Sequence, residues 1–416
     1  KVSVNLARLT TPAYQFVPFV NNAPVVTDVY FGGAWKTVLV GTLGLGGQGA
    51  FAIDVTHPAS PKVLWEFTDE SHKRLGYTYG QASVARLGNG TWVALIPGGY
   101  NNEGAIDYAT RGLPNERAEA PETIGDGRAS LFVVNIANGA LIHEFLLPAA
   151  AYGLGPATIA DYEFDFEADF AVAGDLNGNL WRFGLKQYGS AADFGSMTRI
   201  FQGSALRPIT SAPRIFPDPV SGEMIMVFGT GKYLEIADRE ISANEPRQAI
   251  YGIRECRLRS ECGAYPITPA NLIEQKLTSV NGEFIDMDTT HYLDADAKGW
   301  FVQLGNPALL GGKLIGERII DRPLAIFSTG IVVMNSFIPS SEPCSPEGSG
   351  VLYILSAFTG GFALPDGLNK DGDEVQPGDP VFEGGGPSSV GRYYENRPPT
   401  QFFNCPDGGC FVAGGQ

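Results

Sequence analysis

Short apolar runs broken by glycine turns recur along this chain. Residues 35–55, WKTVLVGTLGLGGQGAFAIDV, read as a strand, a glycine-rich turn and a second strand. The same unit returns in residues 129–147, with a turn at Asn138-Gly139, and in residues 169–185. It recurs in residues 223–233 with 248–253, and in 324–338 with 350–364. A hairpin repeat cannot bury both of its faces alone, so repeats of this kind stack as successive sheets. Radial stacking leaves only short, protected edges, and the pattern predicts an all-β fold, a modified β-propeller of about seven blades spanning residues 1–416 as one domain. Compact propeller repeats need roughly 40–50 residues each, fewer than this chain supplies, so long loops must be inserted. Residues 101–127, 254–299 and 365–396 have the polar, Gly- and Pro-containing composition of such insertions.

One stretch departs from the apolar pattern. Asp161, Glu163, Asp165, Glu167 and Asp169 alternate with Tyr162, Phe164, Phe166 and Ala168. Period-two alternation is that of a half-buried strand with a solvated acidic face. Five carboxylates so close are also the hard oxygen donors that suit Ca²⁺. In a straight strand, side chains two apart stand roughly 6.6 Å from one another, whereas calcium takes its oxygens at about 2.3–2.6 Å, so an ion site requires the chain to curl. Calcium loops often curl at a sixth-position glycine, where this chain has Phe166. On the residues alone both readings stand. A second stretch, Asn369, Asp371 and Asp373 followed by Glu374 and Asp379, has calcium-loop spacing, but Pro380 fills the twelfth position and turn chemistry selects the same residues.

Other motifs carry less chemistry. Gly44, Gly46, Gly47 and Gly49 resemble a dinucleotide-binding loop in spacing, yet AFAIDV follows as a strand where a helix is needed. Asp175-Leu176-Asn177-Gly178-Asn179 reads as a hairpin turn, with Trp181 expected in the core and Arg182 available to a carboxylate. His57, His72, His143 and His291 are scattered, and neither HExxH nor GxSxG occurs, so no catalytic residues are assigned.

Composition narrows the possible partners. With 53 Gly and 29 Pro the chain is rich in turns, and 45 acidic against 29 basic residues give a formal charge of −16. That balance repels nucleic acid and anionic lipid. No apolar run approaches the roughly 18 residues of a membrane span. Cys256 with Cys262 and Cys405 with Cys410 are spaced for two short disulfides in an oxidising compartment, and Cys344 is left over. The chain starts at Lys1 without a signal-peptide pattern, so its targeting sequence is expected to lie outside it.

Several strings, in order, resemble the C-terminal propeller of the PilC/PilY family of type IV pilus tip proteins. They are VLVGTLGLGGQGAFAIDV at 38–55, LGYTYG at 75–80 with Trp92, AGDLNGNLWRF at 173–183, RPITSAP at 207–213 and FGTGKY at 228–233. Gly299-Trp300, Gly316-Glu317-Arg318 and the stretch from Ile338 to Cys344 before GVLYILSAFTGG complete the series. The resemblance implies a calcium loop immediately before AGDLNGNLWRF, with side-chain ligands at Asp161, Glu163, Asp165 and Asp169 and a backbone carbonyl at Glu167. Glu163 and Phe166 depart from the family pattern of shorter and more flexible residues. The resemblance further implies a non-enzymatic protein, secreted through the periplasm to the pilus tip or outer-membrane surface. It would support pilus extension against retraction, twitching motility and adhesion, with minor pilins and a host or surface ligand as partners. Two alternatives are a quinoprotein-like dehydrogenase, whose propellers have strings like GVLYILSAFTGG but need a quinone-holding Trp and adjacent cysteines, and an adhesin propeller unrelated to pili.

Overall fold

Some strands of this fold are buried at every position, and others keep one face in water. In the computed structural model the described residues are 10, 19–100, 126–189, 192–218, 222–234, 236–242, 244–255, 265–288, 291, 297–326, 330–340, 348–363 and 389–395. Cys256, Cys262, Cys344, Cys405 and Cys410, and the second acidic stretch with Asn369, Asp371 and Asp373, lie outside them.

The first sheet is an antiparallel meander of β1 (Val25–Phe31), β2 (Ala34–Thr42), β3 (Gly49–Asp54) and β4 (Lys62–Thr68). The second repeats it with β5 (Ser83–Arg86), β6 (Trp92–Pro97), β7 (Ser130–Asn135) and β8 (Leu141–Leu146). The third comprises β9 (Thr158–Ala160), β10 (Phe170–Gly174), β11 (Asn179–Gly184) and β12 (Met197–Gln202). Then β13 (Arg214–Pro217), β14 (Met224–Gly229), β15 (Ala249–Glu255) and β16 (Ile273–Gln275) join β19 (Gly299–Gln303) in a fourth sheet, where β16 pairs parallel to β19. The fifth takes β17 (Leu277–Asn281), β18 (Phe284–Met287), β20 (Leu324–Ile326), β21 (Ile331–Asn335), β22 (Gly350–Ser356) and β23 (Ser389–Tyr394).

The all-β expectation holds, and the hairpin repeats fall where the apolar pattern places them. About seven units were expected; the described residues form five sheets, the fifth of them six-stranded. Two compact units divide the chain at Arg199 and Ile200, inside β12. In the first unit one cluster joins the inner faces of the first two sheets through Val38, Val40, Phe67, Ile96 and Phe132, and a second joins the next pair through Leu95, Val133, Ala171, Trp181 and Phe183. In the second unit Trp300 is fully buried, donates to the Ala357 carbonyl at 2.9 Å, and lies against two glycines. A Cβ on Gly252 or on Gly360 would come within 2.2 Å of its indole.

In the second unit several residues of the family strings hold polar contacts. Arg207 donates to the Arg247 carbonyl and the Tyr251 hydroxyl, and Thr210 Oγ1 donates to the Gly231 carbonyl. Arg318 donates to the Lys232 and Asp238 carbonyls and to Glu245 Oε1. Beside it Glu317 accepts from Ser336 Oγ (2.6 Å), the Tyr353 hydroxyl (2.8 Å) and the Gly305 amide (2.8 Å). These buried and part-buried side-chain bonds hold loops to one another and to Tyr251 of β15 and Tyr353 of β22, a structural role.

Candidate metal centre

Ala160 pairs with Phe170 across β9 and β10, so residues 161–169 form the loop of a hairpin. The alternating acidic run is therefore a curled loop rather than a half-buried strand. Two residues without the freedom of glycine make the curl: Phe164 has φ +56° and Phe166 φ +66°. The left-handed region costs such residues about 1–2 kcal/mol each, so other contacts must fasten it. Asp161 supplies them, its Oδ2 accepting from the Phe166 amide at 2.8 Å and its Oδ1 from the Asp165 amide at 3.3 Å. Both phenylalanine rings point into solvent, 69% and 85% exposed.

This curl brings together three of the expected ligands. Asp161, Glu163 and Asp169 each offer a carboxylate oxygen within 4.8 Å of the other two. Two oxygens bound to one calcium ion at about 2.3–2.6 Å stand at most about 5 Å apart, so the three fit a single ion. Asp165 turns its Oδ1 to the Glu167 amide at 2.9 Å, and Glu167 pairs through Oε1 with Arg86 Nη1 of β5 at 3.3 Å.

The centre already contains one positive charge, which the sequence reading did not assign. Lys186 Nζ donates to Glu163 Oε2 and to Asp169 Oδ1, both at 2.7 Å. Hairpin register carries the signal for it: Gly184 of β11 pairs with Phe170, so Lys186 follows alongside the base of the loop. Asp169 is buried and accepts from the Tyr162 amide at 2.6 Å through its second oxygen. Burial raises its pKa to about 6, with the neighbouring Glu163 charge adding to the rise and Lys186 opposing it. For Lys186 burial works downward, but the bonds to Asp169 and Glu163 outweigh it and hold the ammonium above its ordinary value.

The string that follows positions this loop. Asp175 is fully buried and accepts from the Asn177 and Asn179 amides, from Asn179 Nδ2 and from Trp181 Nε1. Burial nevertheless raises its pKa. Gly178 closes the turn at φ +77°, with its amide donating to the Asp175 carbonyl. Trp181 is buried as expected, and Arg182 reaches Asp193 Oδ2 at 2.6 Å. The glycines before β3 make a single 3₁₀ turn (Gly44–Gly46) with no helix after it, so the nucleotide reading falls. His72 stacks on Phe67 and His143 packs against Phe145, which makes both structural.

The PilY1 beta-propeller domain family matches residues 2–287. The chain belongs to that family. Type IV pilus biogenesis factor PilY1 of Pseudomonas aeruginosa is 31% identical over 390 residues, covering 84% of this chain and 31% of its own length. A PilY1 homolog of Xylella fastidiosa is also 31% identical, covering 86% of this chain and 24% of its own length. Among solved structures, the Pseudomonas aeruginosa PilY1 C-terminal domain superposes with a TM-score of 0.69 at 27% identity, over 91% of this chain and 79% of that one. The chain thus spans about a third or less of the curated PilY1 relatives it matches. Among the described residues, no helix is long and apolar enough to cross a membrane.

Proposed function

We propose that this chain is the calcium-binding propeller module of a type IV pilus biogenesis protein, acting by binding and assembly rather than by catalysis. Residues 1–416 are read as one propeller domain, because the family match runs across the division at Arg199. The observation that carries the calcium reading is the curl of residues 161–169, which gathers three carboxylates from a chain position where a strand would spread them. Asp161, Glu163 and Asp169 would hold the ion, with Asp165 and the Glu167 carbonyl expected beside them. The ion's two positive charges would offset carboxylates that otherwise repel one another. Asp161 would then fasten the Phe166 turn and hold charge at once, so losing the cation loosens the surface of the loop. That surface would dock minor pilins at the pilus tip or a host or surface ligand, outside the cell, supporting extension against retraction, twitching motility and adhesion.

Calorimetric titration with Ca²⁺ tests this reading, comparing the chain with an Asp161→Ala, Asp169→Ala double variant. Heat from the parent and none from the variant is expected; equal heats remove the site. Co-purification with sheared pili, lost after chelation, tests the docking role. Absence from pilus preparations with and without calcium would favour an adhesin unrelated to pili.

A further inference from the structure

We propose that Lys186 is a tethered competitor for the calcium site, whose ammonium and the metal ion exclude each other. This inference rests on the calcium reading and adds how the site is regulated. Lys186 Nζ lies 2.7 Å from both Glu163 Oε2 and Asp169 Oδ1, which belong to two of the three gathered carboxylates. A calcium ion would need oxygens of those carboxylates at about 2.3–2.6 Å, so both cations would occupy nearly one place. Their repulsion beside the buried Asp169 forbids sharing. The backbone around Lys186 is fixed: its amide and that of Leu185 donate to the Asp169 carbonyl at 3.0 and 2.9 Å, and its own carbonyl accepts from the Asp193 and Phe194 amides. Only the side chain is left to move. It has four flexible carbons and a strongly hydrated head, so it can swing to water when an ion arrives. Asp161 is outside the lysine's bonds and is turned toward the loop amides. Calcium entry is therefore an exchange of one positive charge for two, with Lys186 setting the concentration at which it occurs.

Other divalent sites achieve weak affinity by losing a ligand. Here all three carboxylates are kept and an internal cation raises the threshold. In the ion-free loop the ammonium still neutralises the buried Asp169 that the metal would, so the loosening is confined to the Asp161–Phe166 turn.

Calorimetric Ca²⁺ titration of the whole chain, its Lys186→Met, Lys186→Arg and Asp169→Asn variants, tests this, with thermal unfolding followed with and without calcium. Removing the ammonium forfeits two charge-assisted bonds that calcium must otherwise break, so Lys186→Met should bind Ca²⁺ about ten- to a hundredfold more tightly. Lys186→Arg keeps the charge and should stay weak, a difference that mere loosening of the loop would not produce. The calcium-induced rise in unfolding temperature should also be larger for Lys186→Met than for the parent. Equal affinity in parent and Lys186→Met, with binding lost in Asp169→Asn, overturns the competitor while leaving the site. Binding that survives Asp169→Asn unchanged overturns the site reading itself, and absence of binding in every variant overturns both.

Discussion

Glu317 shows what a single buried charge asks of its surroundings. It is fully buried, with three donors on its two oxygens, and burial raises its pKa despite them. A raised carboxylate pKa means that the folded chain holds the proton more tightly than the unfolded one. This contribution to stability is fully present below the unfolded value of about 4.3 and is lost as pH rises toward the folded pKa. Urea unfolding of Glu317→Gln should lack that part of the pH dependence, so the variant gains on the parent as pH rises from 4 to 7. Glu317→Ala should lose about 3–5 kcal/mol at pH 4, because Ser336, Tyr353 and Gly305 are left with unpaired donors beside a cavity, and less as pH rises. At the loop, Phe166 holds a left-handed conformation while fully in water. Asn tolerates that conformation, so Phe166→Asn should raise stability by about 0.5–1 kcal/mol in the same measurement, without altering the core.

At the scale of the element, the β10–β11 hairpin is held by Asp175. Its carboxylate takes four N–H groups from the turn and from Trp181, so Asp175→Ala strips partners from buried donors. A loss of about 3–5 kcal/mol is expected, read as a lowered urea midpoint. If the loop depends on the hairpin for its register, calcium heat should fall in the same variant. This hairpin was legible in the sequence, because Asn177-Gly178 between two apolar runs has few other conformations. Gly178 alone takes the positive φ, which makes the connection a three-residue turn rather than a two-residue one. The loop at 161–169 was less legible. Its alternation fits a strand equally well, and the decisive facts are the Ala160–Phe170 pairing and the amide bonds to Asp161, neither of which is a periodicity. Lys186 was missed for a related reason: it is distant from the acidic run in the chain and meets it only through the register of two strands.

For the whole molecule, the centre lies in one of two compact units, each with core clusters of its own. A ligand that binds only the folded form stabilises it by about 2.7 kcal/mol at a hundred times its Kd. Hydrogen exchange with and without Ca²⁺ should accordingly show added protection in residues 158–186 and the strands packed on them. Protection in residues 299–356 should change least. A uniform change along the chain would contradict a local site. The formal charge of −16 gives the association with a partner a definite signature. If pilins present a cationic surface to it, association should slow as ionic strength rises, while the dissociation rate changes little.

Trp300, wedged against two glycines, has a practical consequence. Of the five tryptophans, Trp35, Trp65, Trp92 and Trp181 precede Arg199, and Trp300 alone follows it. Replacing the first four by phenylalanine, which gives up the Trp181 bond to Asp175, would leave a chain whose tryptophan emission comes from one indole, shielded from water and bonded to the Ala357 carbonyl. Its spectrum would begin at short wavelength and shift red as the second half melts, so the emission reports on that half.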